Sequence, residues 1–308
     1  MTLVLAPFAE KLSRSWDAQV VADEPLAPKT SVRVGGRAEL FVRPRSPDGL
    51  VGVLHSAGSD GIPLTILGGG ANTLVGDGGV PGITVKLPVD FLPEQVRLSD
   101  SEARLTLGAG AAIARLIQLA KQHGLVGVEF LAGIPGTIGG AAAMNAGTKL
   151  GELMSTVEAV EVATAEGIGW IERSRLVCGY RHTALPKNGV LTRVRFLLHP
   201  GDRVRSQTVM DADLAYRKQT QPLGQPNFGS VFQNPPGDFA GRLIEAAGLK
   251  GFTVGGAQIS PLHANWIVNL GGAKARDIVS LMELAKSRVV ELTGVELKPE
   301  VKRVGVFG

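Results

Sequence analysis

The stretch that decides the fold is Gly133-Ile-Pro-Gly-Thr-Ile-Gly-Gly-Ala-Ala-Ala-Met-Asn-Ala-Gly147, which consists mostly of glycine and alanine. A second stretch of this kind, Gly68-Gly69-Gly70-Ala71-Asn72-Thr73, follows the apolar run 63–67. Glycine lets a ligand approach the main chain closely, and consecutive N–H groups form a concavity that binds anions. Either loop alone is equally compatible with a tight turn in a core of small residues. Together they favour a cradle for the pyrophosphate of a nucleotide-type ligand.

The composition limits the class of protein. A chain of 308 residues is too long for one small core, and it predicts two or three domains. The net charge of +4 comes without a dense basic run, and only 5% of the residues are aromatic. Nucleic-acid binding is therefore not expected, whereas a basic site for an acidic small molecule is natural.

Three further features concern the compartment and the cofactor. Cys178 is the only cysteine, which excludes an intrachain disulfide and favours a reducing compartment. Residues 1–16 have no basic n-region before their apolar stretch, and no apolar run reaches the roughly 20 residues of a membrane helix. The five histidines are scattered without metal-ligand spacing. We therefore expect a cytoplasmic protein without a metal site or a membrane contact.

The hydrophobic pattern predicts both strands and helices. Alternation around Gly35-Gly36 predicts two short strands within residues 31–43, and near residue 200 the sequence becomes polar and charged, which suggests a domain boundary at 200–210. Strands are also expected at 63–67, 83–87, 104–107, 157–163, 191–198 and 299–306, and helices at 47–56, at 111–122 and from Asp238 and Lys274 onward.

Common nucleotide-site motifs and hydrolase motifs do not fit. The segment Gly108-Ala-Gly-Ala-Ala-Ile113 follows a predicted strand and opens a helix, but Ile113 stands where a dinucleotide-binding motif requires a small residue. No Gly-Lys-Ser/Thr follows Gly68–Asn72, and no Gly-x-Ser-x-Gly is present. A Rossmann dehydrogenase, a P-loop enzyme and a serine hydrolase are therefore not supported.

Three other places carry candidate chemistry. Arg181 follows Tyr180, an arrangement suited to holding a carboxylate or phosphate in a plane, although a surface turn is the plainer interpretation. Ser230 lies in the segment 227–236 with amides and aromatic rings, typical of a polar site with apolar walls or of a hairpin whose serine caps a turn. Glu296 and Glu300 near the C-terminus include a candidate carboxylate, although solvated acids are commoner there.

In this order, the segments closely resemble the UDP-N-acetylenolpyruvoylglucosamine reductase (MurB) family. Each segment is short, but the ordered set from about residue 29 to the end is specific. The residues that carry the resemblance lie at 30–36, 67–74, 133–140, 144–147, 179–181, 229–232, 246–251, 263–265 and 299–301.

The resemblance implies an α+β fold with an FAD-binding lobe of the vanillyl-alcohol-oxidase (PCMH) type, made of two subdomains, and a smaller α/β substrate domain. The implied boundaries are 1–62 with 299–308 for the first FAD-binding subdomain, 63–204 for the second and 205–298 for the substrate domain. The connection between Arg181 and the strand at 191 is short, so the chain resembles the branch of the family that lacks an inserted tyrosine loop.

The resemblance also implies the reaction of a UDP-N-acetylmuramate dehydrogenase. In peptidoglycan precursor synthesis, such an enzyme uses NADPH and non-covalent FAD to reduce UDP-N-acetylglucosamine enolpyruvate to UDP-N-acetylmuramate. Ser230 matches the proton donor, Arg181 the arginine that stabilises the carboxylate and enolate, and Glu300 the acid at the C-terminus. We expect a monomer whose partner is this small-molecule substrate.

The remaining expected site residues bind the cofactor or the substrate. The cofactor set is Gly68, Gly69, Gly70, Ala71, Asn72, Thr73, Gly133, Ile134, Pro135, Gly136, Thr137, Gly139, Gly140, Asn145 and Gly147. The substrate set is Tyr180, Arg217, Gln233, Asn234, His263 and Asn265.

Departures from the family pattern leave two other functions open. Lys29, Thr183 and Gln233 replace a frequent Asn, Ser and basic residue respectively, and Gln233 removes a charge that could contact the substrate. Another flavin oxidase or dehydrogenase of the same fold is one alternative, although neither glycine loop has the His or Cys that often tethers flavin there. The other is a flavin-binding module without turnover, favoured if Ser230 or Glu300 were remote from the ligand.

Overall fold

A computed structural model describes residues 5–307, and residues 1–4 and 308, at the two ends of the predicted first subdomain, lie outside the described residues. The caps explain several helix bounds: the Ser46 side chain accepts from the Gly49 N–H at one helix start, and Gly124 (φ 68°) ends another. The helices are α1 (Leu5–Ser15), α2 (Pro47–Ser59), α3 (Ile113–His123), α4 (Ile138–Ala143), α5 (Arg203–Thr220), α6 (Ala240–Ala246) and α7 (Ala275–Thr293).

Most strands are short, and the longest is β15 (Val190–Pro200). The others are β1 (Ala18–Pro25), β2 (Arg37–Pro44), β3 (Leu64–Ile66), β4 (Thr73–Val75), β5 (Val80–Val85), β6 (Gln95–Leu98), β7 (Ala103–Gly108), β8 (Leu125–Val126), β9 (Gly147–Thr148), β10 (Gly151–Glu152), β11 (Val157–Thr164), β12 (Gly167–Glu172), β13 (Cys178–Gly179), β14 (His182–Thr183), β16 (Thr253–Val254), β17 (Ala257–Ile259), β18 (Ile267–Asn269) and β19 (Lys302–Val304). A four-stranded sheet has the order β1-β2-β5-β3, in which β3 and β5 run parallel.

The chain divides into two compact units. One contains the chain up to Ala22, Leu40–Gly69 and Gly82–Ala215; the other contains Asp23–Glu39, Gly70–Pro81 and the chain from Tyr216 onward. These bounds differ from the predicted domains, because two segments before residue 82 belong with the C-terminal part. The three-part division therefore stays a prediction.

A six-stranded sheet with the order β12-β11-β15-β7-β6, to which β8 is added on β15, organises the first unit. Alternation explains its two faces, because Val194, Phe196 and Leu198 of β15 are buried while Arg193 and Arg195 are partly exposed. The buried face packs on α3 and α4 in one core, and a second core joins α1 and α2 to β2 and β5. The strands predicted at 104–107, 157–163 and 191–198 and the helices predicted at 47–56 and 111–122 are confirmed.

The second unit packs α6 and α7 on the three-stranded sheet β16-β17-β18. Its other sheet pairs β4 with β19 in parallel, so the predicted C-terminal strand is confirmed. The carboxylate of Asp77 accepts from the N–H groups of Ala275 (2.8 Å) and Arg276 (3.0 Å) and thereby caps the start of α7. This contact joins the segment after β4 to the longest helix of the unit.

One sequence-based expectation about secondary structure is wrong, and one helix was not predicted. Residues 31–36 form no strand: the Thr30 hydroxyl donates to the Val34 carbonyl (3.2 Å), which closes a loop whose Val32 and Val34 are buried in the core of the second unit. The apolar residues alternate there because Val32 and Val34 are buried, although the segment pairs with no strand. The polar segment 201–218 forms most of α5. Its sequence does not predict a helix, because few of its residues are buried and no apolar stripe marks a buried face.

Candidate active site

The two glycine loops contact each other through bare main chain. A Cβ added at Gly69 would lie 2.7 Å from the Gly136 Cα, and one added at Gly139 would lie 2.7 Å from the Ala109 Cβ. Both distances are too short for a side chain, so glycine is required for the chain to pack on itself here. The sequence left open a ligand or a tight turn in a core of small residues, and the chain's own main chain lies against part of this backbone.

A row of unused N–H groups remains on these loops. Within residues 5–307, the main-chain N–H groups of Gly69, Gly70, Ala71 and Asn72 donate to no acceptor, and neither do those of Gly136 and Thr137. Consecutive N–H groups of this kind bind anions. The Lys86 Nζ donates to the Gly68 carbonyl, which brings a positive charge to the same loop. Gly69, Gly136 and Thr137 all lie in the first unit, and their N–H groups form a donor set that fits the pyrophosphate of a dinucleotide.

Main-chain bonds hold the second loop in place. Ile138 N–H donates to Ala111 O (2.8 Å) and Gly139 N–H to Ala109 O (2.8 Å), so the turn 108–112 supports this loop. The Thr137 hydroxyl accepts from Gly140 N–H (3.3 Å) and caps α4. The glycine segment that does not fit a Rossmann motif thus has a structural task in the same site.

Arg181 occupies a tight two-residue turn between β13 and β14, which pair Cys178 with Thr183 and Gly179 with His182. Its backbone is left-handed (φ 56°), a conformation that non-glycine residues seldom adopt and that the surrounding structure must impose. The guanidinium carbon lies 4.9 Å from the centroid of the Tyr180 ring, and Tyr180 is 53% exposed. A planar cation is therefore presented at the surface of the first unit on a constrained turn.

The sequence predicts that Asn145 contacts the cofactor, but the structure buries this residue completely. Its Oδ1 accepts from Met154 N–H (3.0 Å) and its Nδ2 donates to the Gly179 carbonyl (3.1 Å). Both ends of the amide are therefore used by main chain. Asn145 holds the backbone before Arg181 and has no surface to offer a ligand.

Ser230 lies in a segment held on both sides by main-chain pairing. Ser230 pairs with Trp266 and Phe232 with Pro299, both antiparallel. The turn before it is made by Asn227, whose Oδ1 accepts from Gly229 N–H (2.9 Å). Ser230 is partly buried, and within the described chain its hydroxyl makes no hydrogen bond. The segment is therefore not a hairpin, and its serine caps no turn.

The structure brings Glu300 beside Ser230. Glu300 N–H donates to the carbonyl of Val231 (2.8 Å), the residue next to Ser230. On the other side, Asn72 Nδ2 donates to the Glu300 carbonyl (3.2 Å), directly before the parallel pair β4 and β19. The end of the first glycine loop and two predicted catalytic residues thus meet within the second unit. Glu296, the other candidate acid, is exposed.

Asn265, predicted to bind substrate, is 2% exposed, and its side-chain amide pairs with the main chain of Phe232 as a neighbouring strand would. Its Oδ1 accepts from Phe232 N–H (3.0 Å) and its Nδ2 donates to Phe232 O (2.8 Å). The amide therefore fixes the segment that carries Ser230. His263 Nδ1 accepts from Asn265 N–H (3.2 Å), and burial, together with the charge of Lys250, lowers the pKa of His263.

The other predicted substrate residues lie in the second unit. Gln233 N–H donates to Lys298 O (2.9 Å), Asn234 accepts from Ala240 N–H (3.1 Å), and the buried Arg217 donates to Gln221 (3.1 Å). Two contributors were missed by sequence reasoning: Lys86 at the first loop, and Trp266 as the partner of Ser230. The one feature of the sequence that could have indicated Lys86 is the position of this cation directly after the apolar strand β5.

Comparison with known proteins identifies the class first. A family model described as an FAD binding domain matches residues 38–169. The α+β fold is confirmed, with an FAD-binding part of the predicted vanillyl-alcohol-oxidase type. The chain is an FAD-binding oxidoreductase.

The particular family follows from longer matches. A model described as the C-terminal domain of UDP-N-acetylenolpyruvoylglucosamine reductase matches residues 221–304. The enzyme of that name from Myxococcus xanthus is 63% identical over 99% of this chain and 98% of its own length. The enzyme from an Anaeromyxobacter species is 53% identical over 98% of this chain and 94% of its own length. The solved structure of the reductase from Thermus caldophilus has 35% sequence identity and a TM-score of 0.80. The match covers 94% of this chain and 99% of that one. The chain belongs to the UDP-N-acetylenolpyruvoylglucosamine reductase family.

Proposed function

We propose that this chain reduces UDP-N-acetylglucosamine enolpyruvate to UDP-N-acetylmuramate, a step in the synthesis of peptidoglycan precursors. Family membership supports the reaction. The observation that carries the chemistry is Ser230, whose partly buried hydroxyl makes no hydrogen bond within the described chain and lies on a segment bonded to Glu300. A hydroxyl held in place without an internal acceptor is available to a substrate.

The glycine loops are the proposed cofactor site. FAD held there would supply to the enolpyruvyl group a hydride that comes from NADPH. Within the first unit, the free N–H groups of Gly69, Gly136 and Thr137 would hold the pyrophosphate, and Lys86 would add positive charge. Neither loop contains His or Cys, which supports non-covalent attachment.

Arg181 is the proposed electrostatic catalyst. When the hydride reaches C3, negative charge develops on the carboxylate side of the substrate as an enolate. A planar guanidinium binds both carboxylate oxygens at once, and it stabilises this charge best when its orientation is fixed in advance. The strained turn between β13 and β14 supplies that fixed orientation.

Ser230 is the proposed proton donor to C2, which completes the addition of hydrogen across the double bond. A serine hydroxyl is a weak acid in water, so it needs a polarised, preorganised site to act in this way. Its neighbour Glu300 is proposed to stabilise the developing charge as a protonated acid. The bond between Glu300 N–H and Val231 O keeps the two residues on adjacent segments.

The proposed substrate contacts are Tyr180, Arg217, Gln233, Asn234 and His263, with Asn265 acting through the backbone of Phe232. Gln233 is neutral where the resemblance implies a frequent basic residue, so we infer that Lys218, Arg217 or Lys250 supplies the missing charge for the diphosphate. Lys250 pairs with Glu245 (2.8 Å). The identity of the residues on the diphosphate stays a prediction.

No helix within residues 5–307 is long and apolar enough to cross a membrane. We further propose that the protein acts as a monomer in the cytoplasm, where its nucleotide substrates are made. Cys178, the only cysteine, supports a reducing compartment. Light scattering that gave a stable dimer mass at micromolar concentration would contradict the monomer.

The two half-reactions test the function directly. The purified protein should be yellow, should lose its flavin absorbance with NADPH under anaerobic conditions, and should recover it on addition of UDP-N-acetylglucosamine enolpyruvate. The product should be heavier than the substrate by two hydrogens. Acid precipitation should release the flavin into the supernatant. Recovery only with oxygen would favour another flavin oxidase, and no bleaching at all would favour a binding module.

A further inference from the structure

The turn that carries Arg181 is anchored from both sides to one short stretch of chain, the end of α4. Before the turn, the Gly179 carbonyl accepts from Asn145 Nδ2 (3.1 Å). After the turn, the Thr183 hydroxyl donates to the carbonyl of Ala142 (2.7 Å), within a buried contact. Ala142 is the penultimate residue of α4, and Asn145 follows that helix by two residues.

These anchors are buried and specific. Asn145 is 0% exposed and Thr183 is 5% exposed; the bond from Thr183 to Ala142 is buried, and the bond from Asn145 to Gly179 is partly buried. A buried hydrogen bond fixes geometry because breaking it leaves a polar group without a partner. Asn145 itself has a left-handed backbone (φ 43°), which indicates that the surrounding structure holds it in an unfavourable conformation.

A third contact stiffens the approach to the turn. The Arg173 Nε donates to the carbonyl of Met154 (3.0 Å), and the Arg173 Nη1 donates to the carbonyl of Leu176 (3.2 Å). Met154 is the residue whose N–H donates to the Asn145 Oδ1. The segment 173–176, which precedes β13, is thus bonded to the same framework. The left-handed conformation of Arg181 has little freedom to relax within this frame.

We propose that Thr183 and Asn145 are positioning residues for Arg181: they transmit the geometry of the α4 segment to the guanidinium and set the rate of the step in which charge develops on the substrate. The same α4 segment begins at the second glycine loop, where Thr137 caps the helix. The cofactor loop and the arginine turn are therefore attached to one continuous piece of chain. This inference rests on the proposed function, since it assigns Arg181 its catalytic task.

Thr183→Val and Thr183→Ser test the proposal. Valine has nearly the same shape but cannot donate to Ala142, whereas serine keeps the hydroxyl. Misplacement of a reacting group by about 1 Å can cost roughly 100-fold in rate. We therefore expect Thr183→Val to slow reoxidation of the reduced flavin by the enolpyruvyl substrate between about tenfold and 100-fold. Reduction by NADPH should stay near the parent rate, and Thr183→Ser should restore reoxidation.

Thr106→Val is the matched control. Thr106 is also 5% exposed and lies in the same unit, on β7, where it pairs with Arg195 of β15 and not with the Arg181 turn. Both half-reactions of Thr106→Val should match the parent. Equal slowing of both half-reactions in Thr183→Val would show a merely structural role and would overturn the proposal, as would unchanged reoxidation.

A double variant covers the case in which Thr183→Val folds poorly. In the Arg181→Lys background the positioned group is already gone, so loss of the Asn145 donor, as in Asn145→Asp, should add little to the slowing of reoxidation. Full additivity of the two changes would refute the proposal. Unchanged reoxidation in Arg181→Lys alone would refute the task proposed for Arg181, and the positioning inference with it. Slowing by Arg181→Lys without any effect of Thr183→Val or Asn145→Asp would refute only the positioning inference.

Discussion

The arginine turn of the first unit and the Ser230 segment of the second unit present their reactive groups by different means. Arg181 stands on a strained turn that depends on side-chain hydrogen bonds from Asn145 and Thr183. Ser230 stands on an extended segment that is paired through main chain with Trp266 and the region of Glu300. The Ser230 segment combines main-chain pairing, which tolerates many sequences, with the amide of Asn265, whereas the arginine turn is held to α4 by the side chains of Asn145 and Thr183. Substitutions around the turn should therefore alter catalysis at a distance more readily than those around Ser230.

Loss of the Ser230 hydroxyl should have the largest effect. General acid–base groups contribute about 10²- to 10⁴-fold, so Ser230→Ala should slow reoxidation by at least the lower figure. Because the paired backbone stays intact, FAD binding and bleaching by NADPH should be normal. Stopped-flow absorbance measures each half-reaction separately. Ser280→Ala, on the exposed face of α7, is the control, and equal slowing of both half-reactions by Ser230→Ala would reject the proton-donor role.

Arg181→Lys is expected to come next. Lysine keeps the charge but not the planar pair of donors, and removal of one preorganised donor at a developing oxyanion typically costs about 10²- to 10³-fold in kcat. The loss should fall on reoxidation, since Arg181 is not expected to contact NADPH during flavin reduction. Arg175→Lys, at an exposed arginine of the same unit, should leave both rates unchanged. Near-normal turnover of Arg181→Lys would show that Arg181 is part of a surface turn without a catalytic role.

Glu300→Gln should have a smaller effect. The main-chain bonds of this residue to Val231 and Asn72 do not depend on its side chain, so the segment should remain in place. Loss of a hydrogen bond from a carboxyl group typically costs on the order of tenfold in rate. Steady-state kcat with saturating NADPH is the measurement. Full activity would remove Glu300 from the catalytic residues, and a loss comparable with that of Ser230→Ala would assign it proton transfer.

Gly69→Ala tests the loop contact rather than the chemistry. The added Cβ would lie 2.7 Å from the Gly136 Cα, and such overpacking costs about 1–3 kcal/mol. FAD content and melting temperature should both fall. Gly58→Ala is the matched change, because a Cβ on that helical residue meets nothing within 4 Å and should stabilise the protein by about 0.5–1 kcal/mol. Normal FAD content in Gly69→Ala would show that the loops separate without harm.

The smallest expected effect concerns pH. Burial, and then the charge of Lys250, lowers the pKa of His263 below its ordinary value of 6.5. The unfolded chain therefore binds this proton more readily than the folded one, so the free energy of unfolding should fall as pH drops through 6.5. Urea unfolding at several pH values measures the slope. His263→Gln should flatten it, and an unchanged slope would show that other groups cause it.

Local patterns predicted much of this protein and missed what depends on burial. The helices α2, α3 and α7 and the long strand β15 follow from apolar periodicity, because one face of each is buried. The segment that became α5 carries almost no apolar stripe and was missed. The alternation at 31–36 was misleading, since its valines are buried in a loop closed by Thr30.

The same division holds within the site. The sequence by itself determined the two glycine loops, the Arg181, Ser230 and Glu300 motifs, and through them the flavoenzyme family, because each is a short run of consecutive residues. Only the tertiary structure decided that Asn145 and Asn265 point inward to main chain and that Asn72 meets Glu300, 228 residues away. An asparagine can bind a ligand or a distant carbonyl equally well. Folding selects between them, because a buried carbonyl without a donor is costly.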